Sequence, residues 1–172
     1  MLHVSNRGVG GFDEAKAVPA WPGGRVIGED TRLGADVLAG GGARTFAADA
    51  VVRHRYLPAS YGDHLRAQRY LAGFPALARE TRPLADALWG GVFLNRRTAM
   101  FDLGAAGVLG AIATRRPSLV ALAVPWAVAT WPQTRAHGGR GAPVRLVQLG
   151  VADAVAAWSL LRGSVRHRRL IL

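Results

Sequence analysis

The sequence predicts an α/β segment over residues 1–98, followed by a mostly α-helical, membrane-associated region over residues 99–172. Three observations lead there. Charge and hydrophobicity change character near Arg96-Arg97. Before that point, short β-branched patches alternate with helical patterns; after it come apolar runs punctuated by arginines. With 172 residues, half of them apolar, the chain holds enough for one domain, or a domain with an appendage, around a real core.

Residues 1–28 are rich in glycine and proline, and Pro19, Pro22 and Gly23-Gly24 predict a loop. Glu29-Asp30 then opens a helical pattern. Asp30 suits its N-cap, because a carboxylate there accepts backbone N–H groups at the positive end of the helix dipole. Leu33, Val37 and Leu38 form the apolar face, and Gly40-Gly41-Gly42 ends the helix. Thr45-Phe46 and Val51 to His54 read as short strands. Ser60-Tyr61-Gly62-Asp63 has the spacing of a capping box, with Asp63 where Glu or Gln is usual, and its helix runs to about Ala72. Pro83 fits a first helical turn, with Leu84, Leu88 and Val92 as the apolar positions of a further helix.

Leu103–Thr114 and Ser118–Trp131 are apolar runs joined by Arg115-Arg116-Pro117, and Val144–Leu161 is a third, interrupted by Arg145, Gln148 and Asp153. Crossing a hydrocarbon layer of ~30 Å takes about 20 apolar residues, and the first two runs are shorter. Arginine pairs flank them on every side, so the positive-inside rule selects no orientation. A shallow or re-entrant hairpin plus an amphipathic helix is therefore expected, with spanning helices as the close alternative and a soluble helical bundle behind both. Trp126, Trp131 and Trp158 near the run ends favour an interface.

The net charge of +11 does not point to nucleic acid. Basic residues spread from Arg7 to Arg169, and there is no zinc-finger spacing, ribonucleoprotein motif or aromatic-interleaved basic strand. Anionic membrane lipid is the better partner for the C-terminal third, since each arginine near such a surface gains roughly 1 kcal/mol. The absence of cysteine excludes disulfides and thiolate metal sites. No cleaved signal peptide is expected, because the first residues lack a basic segment followed by an apolar run.

One ordered set of motifs suggests chemistry: Gly10-Gly11-Phe12-Asp13-Glu14, then Glu29-Asp30, then the stretch from Gly41 to His54, then Arg66-Ala67-Gln68-Arg69-Tyr70. In that order it resembles the C-terminal half of the catalytic domain of family-2 glycosyltransferases, inverting enzymes of GT-A fold. The resemblance implies Asp30 as the general base that takes the acceptor hydroxyl's proton, with Glu29 helping to orient that base or the acceptor. It implies His54 as a ligand of the metal or the donor diphosphate, and places Asp13 on the turn towards the acceptor. Arg66, Arg69 and Tyr70 match the register of a sugar-contacting Gln-x-x-Arg-Trp motif, with Arg66 replacing the glutamine, which fits the addition of one or few sugars. The C-terminal stretch from Leu161 to Leu170 looks like the tail of members with membrane-associated helices.

The family's donor-binding half and its Asp-x-Asp ligands for Mn or Mg are absent from the sequence. The expectation is thus a glycosyltransferase fragment at the cytoplasmic face of the cell membrane, inactive alone. Within an intact enzyme it would serve a nucleotide-sugar donor and a glycan or lipid-linked acceptor. The alternative is a non-catalytic basic membrane-docking protein.

Overall fold

The computed structural model describes residues 18–19, 26–43, 45, 60–135 and 141–172. Asp13 and His54 lie outside the described residues, as do the predicted strands, apart from Thr45, which has no regular structure. The described part is a helical assembly. Its helices are α1 (Glu29–Ala39), α2 (Tyr61–Arg69), α3 (Phe74–Glu80), α4 (Arg82–Asp86), α5 (Arg96–Thr114), α6 (Val124–Arg135) and α7 (Ala142–His167). 3-10 turns cover Tyr70–Gly73 and Pro117–Ala123. Strands β1 (Val18–Pro19) and β2 (Val26–Ile27) pair only with each other, antiparallel, Val18 opposite Ile27.

The expected α/β fragment of GT-A type is therefore corrected to a helical fold among the described residues. The composition explains it. From Ser60 to Asn95 only Thr81 and Val92 are β-branched, while alanine, leucine and arginine, all good helix formers, prevail.

Local signals set the helix ends. The N-cap of α1 is Gly28 at φ 86°, so Asp30 sits one residue inside the helix rather than at its cap. At the other end Gly41 takes φ 82° and the Gly42 N–H reaches the Val37 carbonyl at 2.8 Å. The capping box of α2 forms as the spacing predicts. Ser60 Oγ accepts from the Asp63 N–H at 3.1 Å, and Asp63 Oδ2 accepts from the Ser60 N–H at 2.9 Å. The helix expected from Pro83 to Val92 instead stops at Asp86. Gly90 and Gly91 both take positive φ and turn the chain, and Trp89 pairs with Phe93 across the bend.

The core draws on distant parts of the chain. Leu160 of α7 and Ile171 are buried with Ala78 and Leu88, and Leu71, Phe74, Leu84 and Leu94 pack around them. Ile171 reaches this position because Arg168 adopts φ 51° and reverses the chain after α7. Ser164 Oγ then donates to the Ile171 carbonyl and accepts from its N–H, both at 2.9 Å. The last residues thus join the core instead of trailing as a basic tail. A smaller cluster of Ala76, Leu77, Ile27 and Leu84, with the Arg32–Glu80 ion pair, ties β2 and α1 to α3.

Candidate functional site

The apolar runs form a helical hairpin. Asn95 opens α5, its Oδ1 accepting from the N–H groups of Arg97 and Thr98 at 2.9 and 3.1 Å. Arg115, at φ 56°, ends it, and the chain returns through Pro117–Ala123 and α6. The 3-10 form of the return has a local cause. Pro125 has no N–H to give to the Ala121 carbonyl, and the Val124 N–H bonds it instead.

Glycines let the two legs touch backbone to backbone. Gly104 and Gly107, three residues apart, face the returning leg. A Cβ at Gly104 would stand 2.9 Å from Ala123 Cα, and one at Gly107 only 2.5 Å from the Leu119 carbonyl oxygen. Close approach through small residues is how helices associate where lipid removes the hydrophobic drive to pack.

What faces outward is apolar. Leu103, Val108, Leu109 and Ile112 on α5 are exposed, Ile112 to 72%. At 3.6 residues per turn they spread over roughly 220° of the helix circumference. Val120, Leu122, Val124 and Val128 are exposed on the returning leg. Within α6 the buried hydroxyls of Thr130 and Thr134 donate to the carbonyls of Trp126 and Trp131, each at 2.7 Å, and so need no water. Arg96, Arg97 and Arg135 stand at the open end of the hairpin, and Arg115 and Arg116 at its closed end.

Near the open end lies a polar hub. The Arg97 guanidinium grips the Asp153 carboxylate of α7, Nη2 to both oxygens at 2.9 Å and Nε to Oδ2 at 3.2 Å. Trp126 Nε1 donates to the same Oδ2 at 2.7 Å, and Arg97 Nη1 donates to Gln133 Oε1 at 3.1 Å. Phe101 meets the Trp126 ring edge-on at 5.6 Å. Asp102 lies beside this pair, one carboxylate oxygen sealed from solvent and without a hydrogen bond. Burial, and secondarily the negative charge of Asp153, push its pKa above the ordinary value. The cleft here, lined by Thr98, Phe101, Asp102, Asp153, Ala156 and Ala157, measures about 10 Å³, the size of one water at most.

The residues expected for sugar transfer are placed differently. Asp30 is exposed, and its Oδ1 accepts from the N–H of its neighbour Thr31 at 2.7 Å. Glu29 is half-buried, with Oε2 shielded and unpaired. Arg66 is held by Asp63 at 2.7 Å, Arg69 is exposed, and Tyr70 is half-buried in the 3-10 turn after α2. Among the described residues, no hydrogen bond or ion pair joins Glu29 or Asp30 to Arg66, Arg69 or Tyr70. A groove of about 240 Å³ between α1 and α3 is lined by Arg32, Ala35, Asp36, Glu80 and Thr81, not by the acid pair. Among the described residues no group of three or more His, Asp or Glu side chains gathers to hold a metal ion.

Comparison with protein-family profiles, curated proteins and solved structures returned no match. The hub of Arg97, Trp126, Gln133 and Asp153 was not singled out from sequence. Its one visible signal was an acid, Asp153, interrupting an apolar stretch. Trp126, expected at an interface, points instead into this hub, while Trp131 and Trp158 are exposed. Among the described helices, α7 alone is long and apolar enough to cross a membrane.

Proposed function

We propose that the chain is a non-catalytic membrane-docking protein whose α5–α6 hairpin lies among lipid chains while its terminal arginines meet anionic headgroups. The observation that carries this is the bare apolar surface around both legs of the hairpin, bounded by arginines at each end. An apolar surface of that breadth on a small chain marks a membrane or partner site. The close glycine packing of the legs and the internally satisfied hydroxyls of α6 suit a lipid surrounding for the same physical reason: neither relies on water.

The hairpin lies along one leaflet. Its apolar runs, twelve and fourteen residues, match interfacial rather than spanning segments. Carrying Arg115 and Arg116 to the middle of a bilayer would cost about 2.5–3.5 kcal/mol each. Arginines at both ends stay at headgroup level if the hairpin rests flat. Nothing in the placement of Glu29, Asp30, Arg66, Arg69 and Tyr70 favours sugar transfer over this reading.

Co-sedimentation with vesicles tests it. The full chain should pellet with vesicles of phosphatidylglycerol and phosphatidylcholine, and less with phosphatidylcholine alone. Arg115→Glu with Arg116→Glu should weaken binding to the anionic vesicles at least tenfold, as about 1 kcal/mol per lost arginine implies. Equal partition of wild type and variant into both vesicle types, or no binding to either, overturns the proposal.

A further inference from the structure

The outward side of α7 carries a pattern of another kind. Val144, Val151, Trp158 and Val165 stand seven residues apart, and Val147, Ala154 and Leu161 repeat the interval three residues on. All seven are exposed, the six large ones to between 42% and 75%. At 3.6 residues per turn these large side chains fall within roughly 100° of the helix circumference. The opposite side, with Ala152, Ala156, Ser159, Leu160 and Gly163, is buried against the chain's own core.

Lipid packs without register and selects a broad apolar surface such as that of the hairpin. A narrow stripe repeating every seven residues is the seam of two helices packed knobs into holes. The flanks agree. Gly150, Ala157 and Ser164 on one side are small; on the other, Gln148 and Val155 are uncharged and the exposed Arg162 completes the row. None of the seven seam positions is charged and Arg162 is the one charge on their flanks, so a copy of this chain, itself at net charge +11, meets no like charge within the seam itself. The exposed side chains offer on the order of 600 Å² per copy, hence about 1,200 Å² for two, the lower edge of the size of a stable interface.

We infer that this stripe is a homodimer seam, occupied by α7 of a second copy. The inference stands apart from the membrane proposal, which rests on the hairpin. Ala154 lies at the middle of the seam, so it faces its own counterpart whether the two helices run parallel or antiparallel.

The chain has no cysteine, so Ala154→Cys in the detergent-solubilised full chain supplies a single reporter thiol. Mild oxidation should convert most of it to a covalent dimer, with the yield unchanged by tenfold dilution in detergent. Arg145→Cys, off the stripe, should not couple. Adding Val151→Glu or Trp158→Glu to the Ala154→Cys chain should lower coupling at least tenfold, and both positions are exposed, so folding is spared. Three results overturn the inference: an Ala154→Cys chain that stays monomeric and alkylates freely; one that stays monomeric with its thiol shielded, hence covered by its own chain; and coupling equal to that of the Arg145→Cys control. Because no vesicle is present, failure here leaves the membrane proposal untouched, and the reverse holds.

Discussion

Arg97 and Asp153 join α5 to α7 through a two-pronged ion pair, Nη2 to both carboxylate oxygens at 2.9 Å, and Trp126 of α6 donates to the same carboxylate at 2.7 Å. One carboxylate thus ties three helices together. The side chains keep 32% and 20% exposure, so water partly screens the pair. Removing one partner still strands a cation and an indole N–H. Asp153→Ala is expected to lower unfolding stability by about 2–3 kcal/mol in denaturant titration. The double variant Arg97→Ala with Asp153→Ala should lose less than the sum of the single losses. Additive losses would show that the two groups do not stabilise each other.

Asp102 should have the opposite effect. Its pKa is raised by burial and by Asp153, so the folded protein holds the proton more tightly than the unfolded chain does. The ionised carboxylate therefore costs stability at neutral pH. That cost fades as pH falls through the raised pKa and is gone below the ordinary value of 3.8. Asp102→Asn is expected to raise the melting temperature at pH 7, with the gain shrinking towards pH 3.5. A gain that does not change with pH would rule out this electrostatic cause.

Asp63 titrates with the reverse sign. Hydrogen bonds from the Ser60 side chain and backbone, then the charge of Arg66, hold its pKa below 3.8. Its contribution is present above that value and is lost as pH falls through the lowered pKa. Ser60→Ala removes the cap and should cost about 1 kcal/mol at pH 7. The difference between wild type and variant should narrow as pH falls below 3.8, read from melting curves across pH.

Gly163 sits where α7 crosses Ala72, and a Cβ there would press on the Ala72 carbonyl. Gly163→Ala gains up to about 1 kcal/mol of helix propensity, and overpacking at the crossing costs about 1–3 kcal/mol or more. The clash is with backbone, which cannot swing aside, so net destabilisation is expected in thermal or chemical unfolding. Stabilisation would mean that the two segments are not packed this closely in solution.

Local signals were legible in the sequence wherever one or two residues decide a backbone. The Ser60–Asp63 box, the glycine stop after α1 and the hairpin turn at Arg115-Arg116-Pro117 all lie where their patterns placed them. The resemblance to a GT-A domain rests on Glu29-Asp30 and on motif order, which report helix-end chemistry as readily as catalysis, and from Ser60 to Asn95 the β-branched residues are too sparse to outweigh the helix formers. The helix from Pro83 was drawn too long because apolar spacing at Leu84, Leu88 and Val92 outweighed Gly90-Gly91. The polar hub was hidden for a different reason. Arg97, Trp126, Gln133 and Asp153 lie on three helices, and only tertiary packing brings such groups within bonding distance.

The contact of the hairpin with lipid chains is tested most directly by a fluorophore on Ile112→Cys, with Asp86→Cys on α4 as the control. On anionic vesicles carrying chain-brominated lipid, the label at position 112 should shift to the blue, be quenched by the bromines and escape aqueous iodide, while the label at position 86 stays open to iodide. A label at position 112 that remains as open to iodide on vesicles as in buffer, with no quenching by the bromines, would contradict the account.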